Sequence, residues 1–293
     1  LTAVFGVHRG IERLSTCLMP IFFLLMIGLA AYSLLLPGSE AGLAYLFQFS
    51  WSTVTPQAIL NAMGFTFFSL SLGAGVLVTY GAYVNKSTRL PAAAMWVAIL
   101  ALQAAILAGL VIMPAVFAYG LEPDAGPGLV FITLPMIFAQ LSGGSVVAVI
   151  FYFCLFVAAL TSAVSLLEVA VAFLQNECRF SRRAAVFLCF AALFILGSVS
   201  ALSFGPWSDC LIFGRSIFDF LDYVCTNFLM TINGLAVAFV VGWKAWPKAM
   251  KELSTCSPEN GVVTKGTLSA IGFGLRWLAP LMVLASCWQG LEA

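Results

Sequence analysis

Residues 67–75 read Phe-Phe-Ser-Leu-Ser-Leu-Gly-Ala-Gly, and they interrupt a hydrophobic stretch, 56–84, that is long enough to cross a bilayer. Lipid offers no hydrogen bonds, so a Ser/Gly interruption is tolerated only where the freed N–H and C=O groups face protein, water or a bound solute. Many secondary transporters bind substrate at such breaks, with half-helix ends facing a carboxylate and unwound carbonyl groups coordinating sodium. A packing notch of small residues between membrane helices has the same pattern. The spacing alone leaves both interpretations open.

The composition places the chain in a membrane. Hydrophobic residues make up 62% of its 293 residues and charged residues 9%, whereas charged residues are about a quarter of an ordinary soluble domain. Apolar runs near the length of a spanning helix predict seven spans: 18–36, 56–84, 90–120, 144–174, 184–208, 223–243 and 277–291. The stretch 121–143 is predicted to be an external loop with two short helices. The sequence therefore predicts an all-α polytopic membrane protein with one transmembrane domain, 1–293.

The positive charges indicate how the chain crosses the membrane. Twelve of the thirteen Lys and Arg residues fall in alternate loops, and Arg215 lies alone on the other side. The positive-inside rule makes the charged loops cytoplasmic, so the first span starts inside and the last ends outside. A multi-pass protein of the cell membrane is the expected result. The net charge of +1 favours no polyanionic partner, and nucleic acid is excluded as a ligand.

The sequence lacks the residue patterns that common enzyme chemistries need. The eight cysteines have no C-x-x-C spacing, and His8 is the only histidine, so neither a zinc site nor a Cys/His nucleophile pair is predicted. No Walker loop, dinucleotide fingerprint or G-x-S-x-G elbow is present. We predict that the protein is not an enzyme.

A second polar cluster lies deep in the span 144–174. Thr161 and Ser162 offer hydroxyl oxygens that, with a backbone carbonyl one turn earlier, suit a sodium ion or water. Alternatively the hydroxyls bond back to carbonyl groups of their own helix. Glu168 follows two turns later, and a carboxyl group within a span is a candidate functional group. It is equally consistent with a neutral side chain or with a bond to a backbone gap in a neighbouring helix.

Acidic residues also stand at the outer entrance of the span 223–243. Asp219 and Asp222 lie close in sequence to Arg215. A solvated helix end and a charged gate are both consistent with this pattern.

Five motifs together carry a resemblance to a known family. They are Gly10-Ile-Glu-Arg with Met19-Pro20, Phe67-Phe-Ser-Leu-Ser-Leu-Gly73, Phe131-Ile-Thr-Leu-Pro135, Ala158-Ala-Leu-Thr-Ser162 and Phe218-Asp-Phe-Leu-Asp222. In this order the chain resembles the neurotransmitter:sodium symporter family, especially its short prokaryotic amino-acid transporters. The resemblance implies the LeuT-type inverted-repeat fold, with this chain running from the end of the fourth family helix through the eleventh. The stretch 56–84 is then the broken sixth helix, within the second repeat.

The resemblance also implies roles for single residues. The second-repeat part of the substrate pocket would consist of Phe68, Ser69, Ser71, Ala74, Ser162 and Leu166. Half of one sodium site would come from the Ala158 carbonyl with Thr161 and Ser162, and Ser69 would serve a second sodium site. Asp222 resembles the acidic half of the outer gate, and Tyr83 an inner-gate tyrosine. The implied function is sodium-coupled import of an amino acid or related zwitterion by alternating access, without covalent chemistry.

Some positions depart from the family pattern. Ala101 stands where a second-sodium ligand is usual, and an alkyl group coordinates nothing. Asn176 stands where the inner gate usually has Asp. The second sodium site at Ser69 and the inner salt bridge are therefore open.

Two rival interpretations remain. A seven-span receptor usually has its N-terminus outside, whereas the charges here place it inside. The apolar start Leu1-Thr-Ala-Val-Phe-Gly lacks Met and is consistent with a cut span, which favours a truncated or inactive transporter or an assembly partner. In that case the partners expected are the missing N-terminal helices of the same transporter, membrane lipid and the amino-acid substrate. A homodimer is a further expected assembly.

Overall fold

The computed structural model is mostly helical and describes residues 4, 10–51, 54–85, 88–121, 128–141, 143–255 and 265–292. Its α-helices, in chain order, are α1 (Glu12–Leu34), α2 (Ser39–Phe47), α3 (Pro56–Ser69), α4 (Val76–Gly81), α5 (Leu90–Ala118), α6 (Leu134–Gln140), α7 (Gly144–Asn176), α8 (Arg182–Leu202), α9 (Ile217–Tyr223), α10 (Thr231–Phe239), α11 (Trp246–Thr255), α12 (Lys265–Phe273) and α13 (Ala279–Glu292). Wider π-helical turns join several of them: Leu129–Thr133, Val224–Met230, Val240–Lys244 and Gly274–Leu278. A short antiparallel hairpin pairs β1 (Leu211–Ile212) with β2 (Arg215–Ser216).

Within the described residues, six helical stretches are long and apolar enough to cross a membrane. They are Glu12–Leu34, Leu90–Ala118, Gly144–Asn176, Arg182–Leu202, Ile217–Lys244 and Leu268–Ala285. The segment 56–84 is not among them because it is divided into α3, of 14 residues, and α4, of 6. Its crossing of the membrane stays a prediction.

The loop 121–143 contains one helical run among its described residues, formed by Leu129–Thr133 and α6. Residues 122–127 and 142 lie outside the described part of the chain, so the prediction of two short helices stays open. The sequence did not predict α2, which lies in the loop between the predicted spans 18–36 and 56–84.

The start of α3 and the break that follows its last residue both have local causes. The Thr55 hydroxyl accepts a hydrogen bond from the Ala58 N–H at 3.1 Å, and Pro56 occupies the first turn, so α3 has a well-formed start. Ser71 and Gly75 have φ angles of 52° and 76°, in the left-handed region that ends a right-handed helix. The chain therefore stays unwound over residues 70–75 and resumes as α4.

The chain separates into two compact units, and the assignment to one transmembrane domain stays a prediction. Unit one comprises Leu1–Thr53 and Ala98–Ser165, and unit two comprises Val54–Val97 and Leu166–Ala293. The core of unit one joins apolar residues of α1, α5, α6 and α7. In that core the Tyr152 hydroxyl donates to the Val130 carbonyl oxygen at 2.9 Å, which fastens the loop helix to α7.

Unit two is built around α13, which packs against both α3 and α10. Phe67 of α3 points at two glycines, Gly73 in the break and Gly234 on α10, where added Cβ atoms would overlap its ring. A mostly apolar cavity of about 600 Å³ lies among α3, α10 and α13. These contacts position the unwound segment against α10.

Candidate functional site

The unwound segment leaves backbone groups without backbone partners. The turn closes on itself through the N–H of Ser71, which donates to the Phe68 carbonyl at 2.9 Å, and through that of Ala74, which donates to the Ser71 carbonyl at 3.2 Å. Among the described residues, no backbone N–H reaches the carbonyl oxygens of Leu70 or Leu72. Free carbonyl and N–H groups in a span need a partner. The break can thus supply both donors and acceptors to a polar solute.

One freed carbonyl is already bonded to another helix. The side-chain amide of Asn233, on α10, donates to the Gly73 carbonyl oxygen at 2.7 Å. Gly73 is buried, and a Cβ at this position would overlap the Met230 carbonyl oxygen. Asn233 is not among the predicted site residues, although an amide within an otherwise apolar span is itself a signal.

Five of the predicted substrate residues belong to unit two. Phe68 and Ser69 end α3 and are exposed, Ser71 and Ala74 lie half-buried in the break, and Leu166 is exposed on α7. Ser162 belongs to unit one. The substrate roles of these residues stay predictions.

The predicted residues of the first sodium site lie in unit one, on consecutive turns of α7, whereas Ser69 of the predicted second site lies in unit two. The Thr161 hydroxyl donates to its own helix, to the carbonyl oxygens of Val157 and Ala158, each at 3.0 Å. The Thr161 hydroxyl proton is therefore bonded back to carbonyl groups of its own helix, as in the alternative interpretation. The hydroxyl oxygen retains its lone pairs. The Ala158 carbonyl oxygen and the Thr161 Oγ1 are 3.0 Å apart, a spacing that two ligands of one hard cation can have. Ser162 is exposed beside them.

Among the described residues, the partners of Glu168 are side chains and not the backbone gap of a neighbouring helix. It is fully buried, and its carboxylate accepts two hydrogen bonds from the Arg182 guanidinium, to Oε1 at 3.1 Å and to Oε2 at 2.6 Å. The Tyr83 hydroxyl donates to the same Oε1 at 3.3 Å, and Arg182 also donates to the Gln175 side chain at 3.1 Å. A buried carboxylate is stable when it is paired in this two-pronged way.

Arg182 is not among the predicted site residues. In the sequence it is one of several loop cations that indicate the topology, together with Arg179 and Arg183. Arg183 is indeed exposed, whereas the Arg182 side chain is only 23% exposed. The signal that could have found the pair is Glu168 itself, because a buried carboxylate requires a cation or several donors.

The acidic residues near Arg215 line a polar cavity of about 570 Å³ in unit two. The Ser216 hydroxyl accepts from the Asp219 N–H at 3.1 Å and donates to the Asp219 carboxylate at 2.6 Å, so this pair caps α9. Asp222 accepts from the Thr226 hydroxyl at 3.4 Å, and Arg215 stacks over the Tyr223 ring at 4.2 Å. Asp219 thus has the role of a helix end, and the gate role of Asp222 stays a prediction.

An interrupted membrane helix with free backbone groups at the break is the arrangement at which many secondary transporters bind substrate, so the fold indicates that class of protein. The model of the sodium:neurotransmitter symporter family matches residues 1–265. The chain belongs to this family. Its members are transporters and not enzymes, and the chain is a multi-pass protein of the cell membrane.

Relatives and a solved structure agree with this assignment. An uncharacterized sodium-dependent transporter of Haemophilus influenzae is 38% identical over 281 residues, which cover 95% of this chain and 60% of the relative. One of Bacillus subtilis is 35% identical over 279 residues, covering 95% and 61%. The crystal structure of MhsT in complex with L-phenylalanine matches with a TM-score of 0.85 and 41% identity, over 98% of this chain and 64% of MhsT. The predicted LeuT-type fold is thereby confirmed.

The chain spans 60–64% of the length of these three proteins. Both bacterial relatives are named as sodium-dependent transporters. Members of the family carry small molecules across a lipid bilayer. The homodimer and the N-terminal partner helices stay predictions.

Proposed function

We propose that the protein imports an amino acid together with sodium by alternating access. The observation that carries the proposal is the unwound segment 70–75, with its free carbonyl and N–H groups in an apolar helix pair. A zwitterion needs donors for its carboxylate and acceptors for its ammonium group, and a break of this kind offers both. MhsT, which shares the fold, was crystallised with L-phenylalanine.

The residues around the break have distinct roles in this proposal. Ser69 and Ser71 hold the polar end of the substrate, and Phe68 closes over it. Ala74 and Leu166 line the side-chain end of the pocket. Because Ala74 is small, a large apolar or aromatic amino acid is the proposed substrate class.

Sodium is held through oxygen atoms on α7. The Ala158 carbonyl and the Thr161 and Ser162 hydroxyls supply three oxygen ligands to a hard cation. The Thr161 proton already points at its own helix, which leaves the oxygen lone pairs for the ion. Ser69 is proposed as a ligand of a second sodium ion. That site would bind sodium more weakly than the first, because Ala101 supplies no ligand.

Two clusters close the pathway in turn. The inner gate consists of Tyr83, Glu168 and Arg182. The outer gate includes Asp222. The Glu168–Arg182 pair is short and charge-assisted, whereas the Tyr83 bond of 3.3 Å is long and therefore weaker. The tyrosine, which follows α4, is the member that leaves first when the inner side opens.

The test is uptake of labelled L-phenylalanine into proteoliposomes that contain the protein expressed from its whole gene. An inward sodium gradient should drive accumulation, and an equal potassium gradient should not. Phe68→Ala should raise KM, while Phe190→Ala, on the exposed face of α8, should not. Equal uptake with either gradient, or no uptake of any amino acid, would refute the proposal.

A further inference from the structure

We propose that Asn233 is a positioning residue for the substrate segment: its side-chain amide fixes the Gly73 carbonyl and thereby holds residues 70–75 in the unwound form that binds substrate. The inference rests on the proposed function for the identity of that substrate. The hold on the segment is a structural statement that can be tested separately.

The hydrogen bond is short and its direction is fixed. The Asn233 Nδ2 lies 2.7 Å from the Gly73 carbonyl oxygen. A carbonyl oxygen only accepts, so the amide must present its NH₂ group here. The two residues are 160 positions apart in the chain, so the bond joins the break to a separate helix.

The packing around this bond leaves the segment little room. The Met230 carbonyl lies against Gly73, and the Phe67 ring fits against both Gly73 and Gly234. Gly75, which has a positive φ, lies close to the Asn233 amide, since an added Cβ there would be 3.8 Å from Nδ2. The break is therefore contacted by the Met230 backbone just before α10, by the Phe67 ring of α3 and by the Asn233 amide of α10, and only the amide contact is a directional hydrogen bond.

This contact decides which freed carbonyl groups face a ligand. The Gly73 carbonyl oxygen already accepts a hydrogen bond from Asn233, so it is not free to bind a ligand. No backbone N–H among the described residues reaches the carbonyl oxygens of Leu70 and Leu72. Without the amide, the Gly73 carbonyl is buried and lacks that donor, which is unfavourable in a membrane interior. The segment then moves to find another donor, and the turn bonds of Ser71 and Ala74 loosen with it.

The experiment compares Asn233→Leu, Asn233→Asp and the control Ile232→Ala in the protein expressed from its whole gene. Ile232 is the residue before Asn233 in the chain. Its side chain is 62% exposed, and an alkyl group cannot donate a hydrogen bond to the break. Two quantities are measured: the KM and Vmax of sodium-driven uptake of L-phenylalanine, and amide hydrogen exchange of the peptide covering 70–78.

Asn233→Leu should raise KM at least tenfold with a smaller change in Vmax, and the peptide 70–78 should exchange at least threefold faster. Asn233→Asp should behave in the same way at pH 8, because a carboxylate cannot donate. At pH 5.5 its acid form can donate, so its KM relative to the wild type should recover at least threefold, whereas that of Asn233→Leu should not. The titratable groups on the packed elements, Glu168, Arg182, Tyr83 and Asp222, are common to all variants, and the ratio to the wild type at each pH removes their effect.

Unchanged exchange in Asn233→Leu would overturn the proposal whatever happens to uptake, since any defect would then arise elsewhere. Faster exchange with unchanged KM would also overturn it, because the segment's position would not matter for substrate. If the wild type takes up no amino acid, the proposed function fails, and hydrogen exchange alone decides the hold of Asn233 on the segment.

Discussion

Removal of the Arg182 guanidinium is expected to destabilise the protein by about 3 kcal/mol. The change Arg182→Ala leaves the Glu168 carboxylate, which is fully buried, with the Tyr83 hydroxyl at 3.3 Å in place of three donor contacts. Breaking a buried ion pair by deleting one partner costs about 3–5 kcal/mol, because the remaining charge is uncompensated. The lower end applies here, because the Arg182 side chain is 23% exposed and water already reaches part of it.

The measurement is the free energy of unfolding in mixed micelles, by titration with a denaturing detergent. Arg183→Ala is the matched control, since it removes the same side chain from the next position, where the arginine is exposed, and should change stability by less than about 0.5 kcal/mol. The double variant Glu168→Leu with Arg182→Leu should be less destabilised than the sum of its single variants, because no buried charge is left alone. If Arg182→Ala and Arg183→Ala have the same small effect, the ion pair contributes little and the reasoning is wrong.

Three further changes test the site and its packing. Ser162→Ala should weaken sodium activation of uptake by about 1–3 kcal/mol, from the lost oxygen ligand, and a sodium dependence equal to the wild type would contradict the ligand role. Ala74→Phe should shift preference toward small amino acids by about 0.8 kcal/mol for each methylene-sized group no longer buried, measured by competition from glycine to tryptophan; an unchanged ranking would show that Ala74 does not set pocket size. Gly73→Ala should destabilise the protein by about 1–3 kcal/mol through overlap with its neighbours, whereas Gly81→Ala, with open space around its Cβ, should not; equal melting temperatures would disprove the tight fit.

The sequence contains the local causes of the fold but not its distant contacts. Apolar runs and the family motifs were sufficient for the all-α LeuT-type fold, and the Ser/Gly composition of 69–75 explains why a right-handed helix ends there, at Ser71 and Gly75. The partner of Glu168 could not be predicted, because Arg182 stands among loop cations of identical chemistry and only the folded α7–α8 turn selects it. The contact of Asn233 with Gly73 could not be predicted either, because local periodicity carries no information about residues that are 160 positions apart.

The fit of the Phe67 ring against two glycines has a consequence for how this protein can change over evolutionary time. Gly234 has no space for a side chain while a phenyl ring stands at position 67, whereas at Gly73 the Met230 backbone carbonyl fills that space as well as the ring. A lineage that acquires alanine or serine at position 234 must therefore first, or at once, exchange the ring for a smaller group. Across descendants of a common ancestor, positions 67 and 234 are expected to be substituted as a pair with their total side-chain volume kept nearly constant, while position 73 stays glycine.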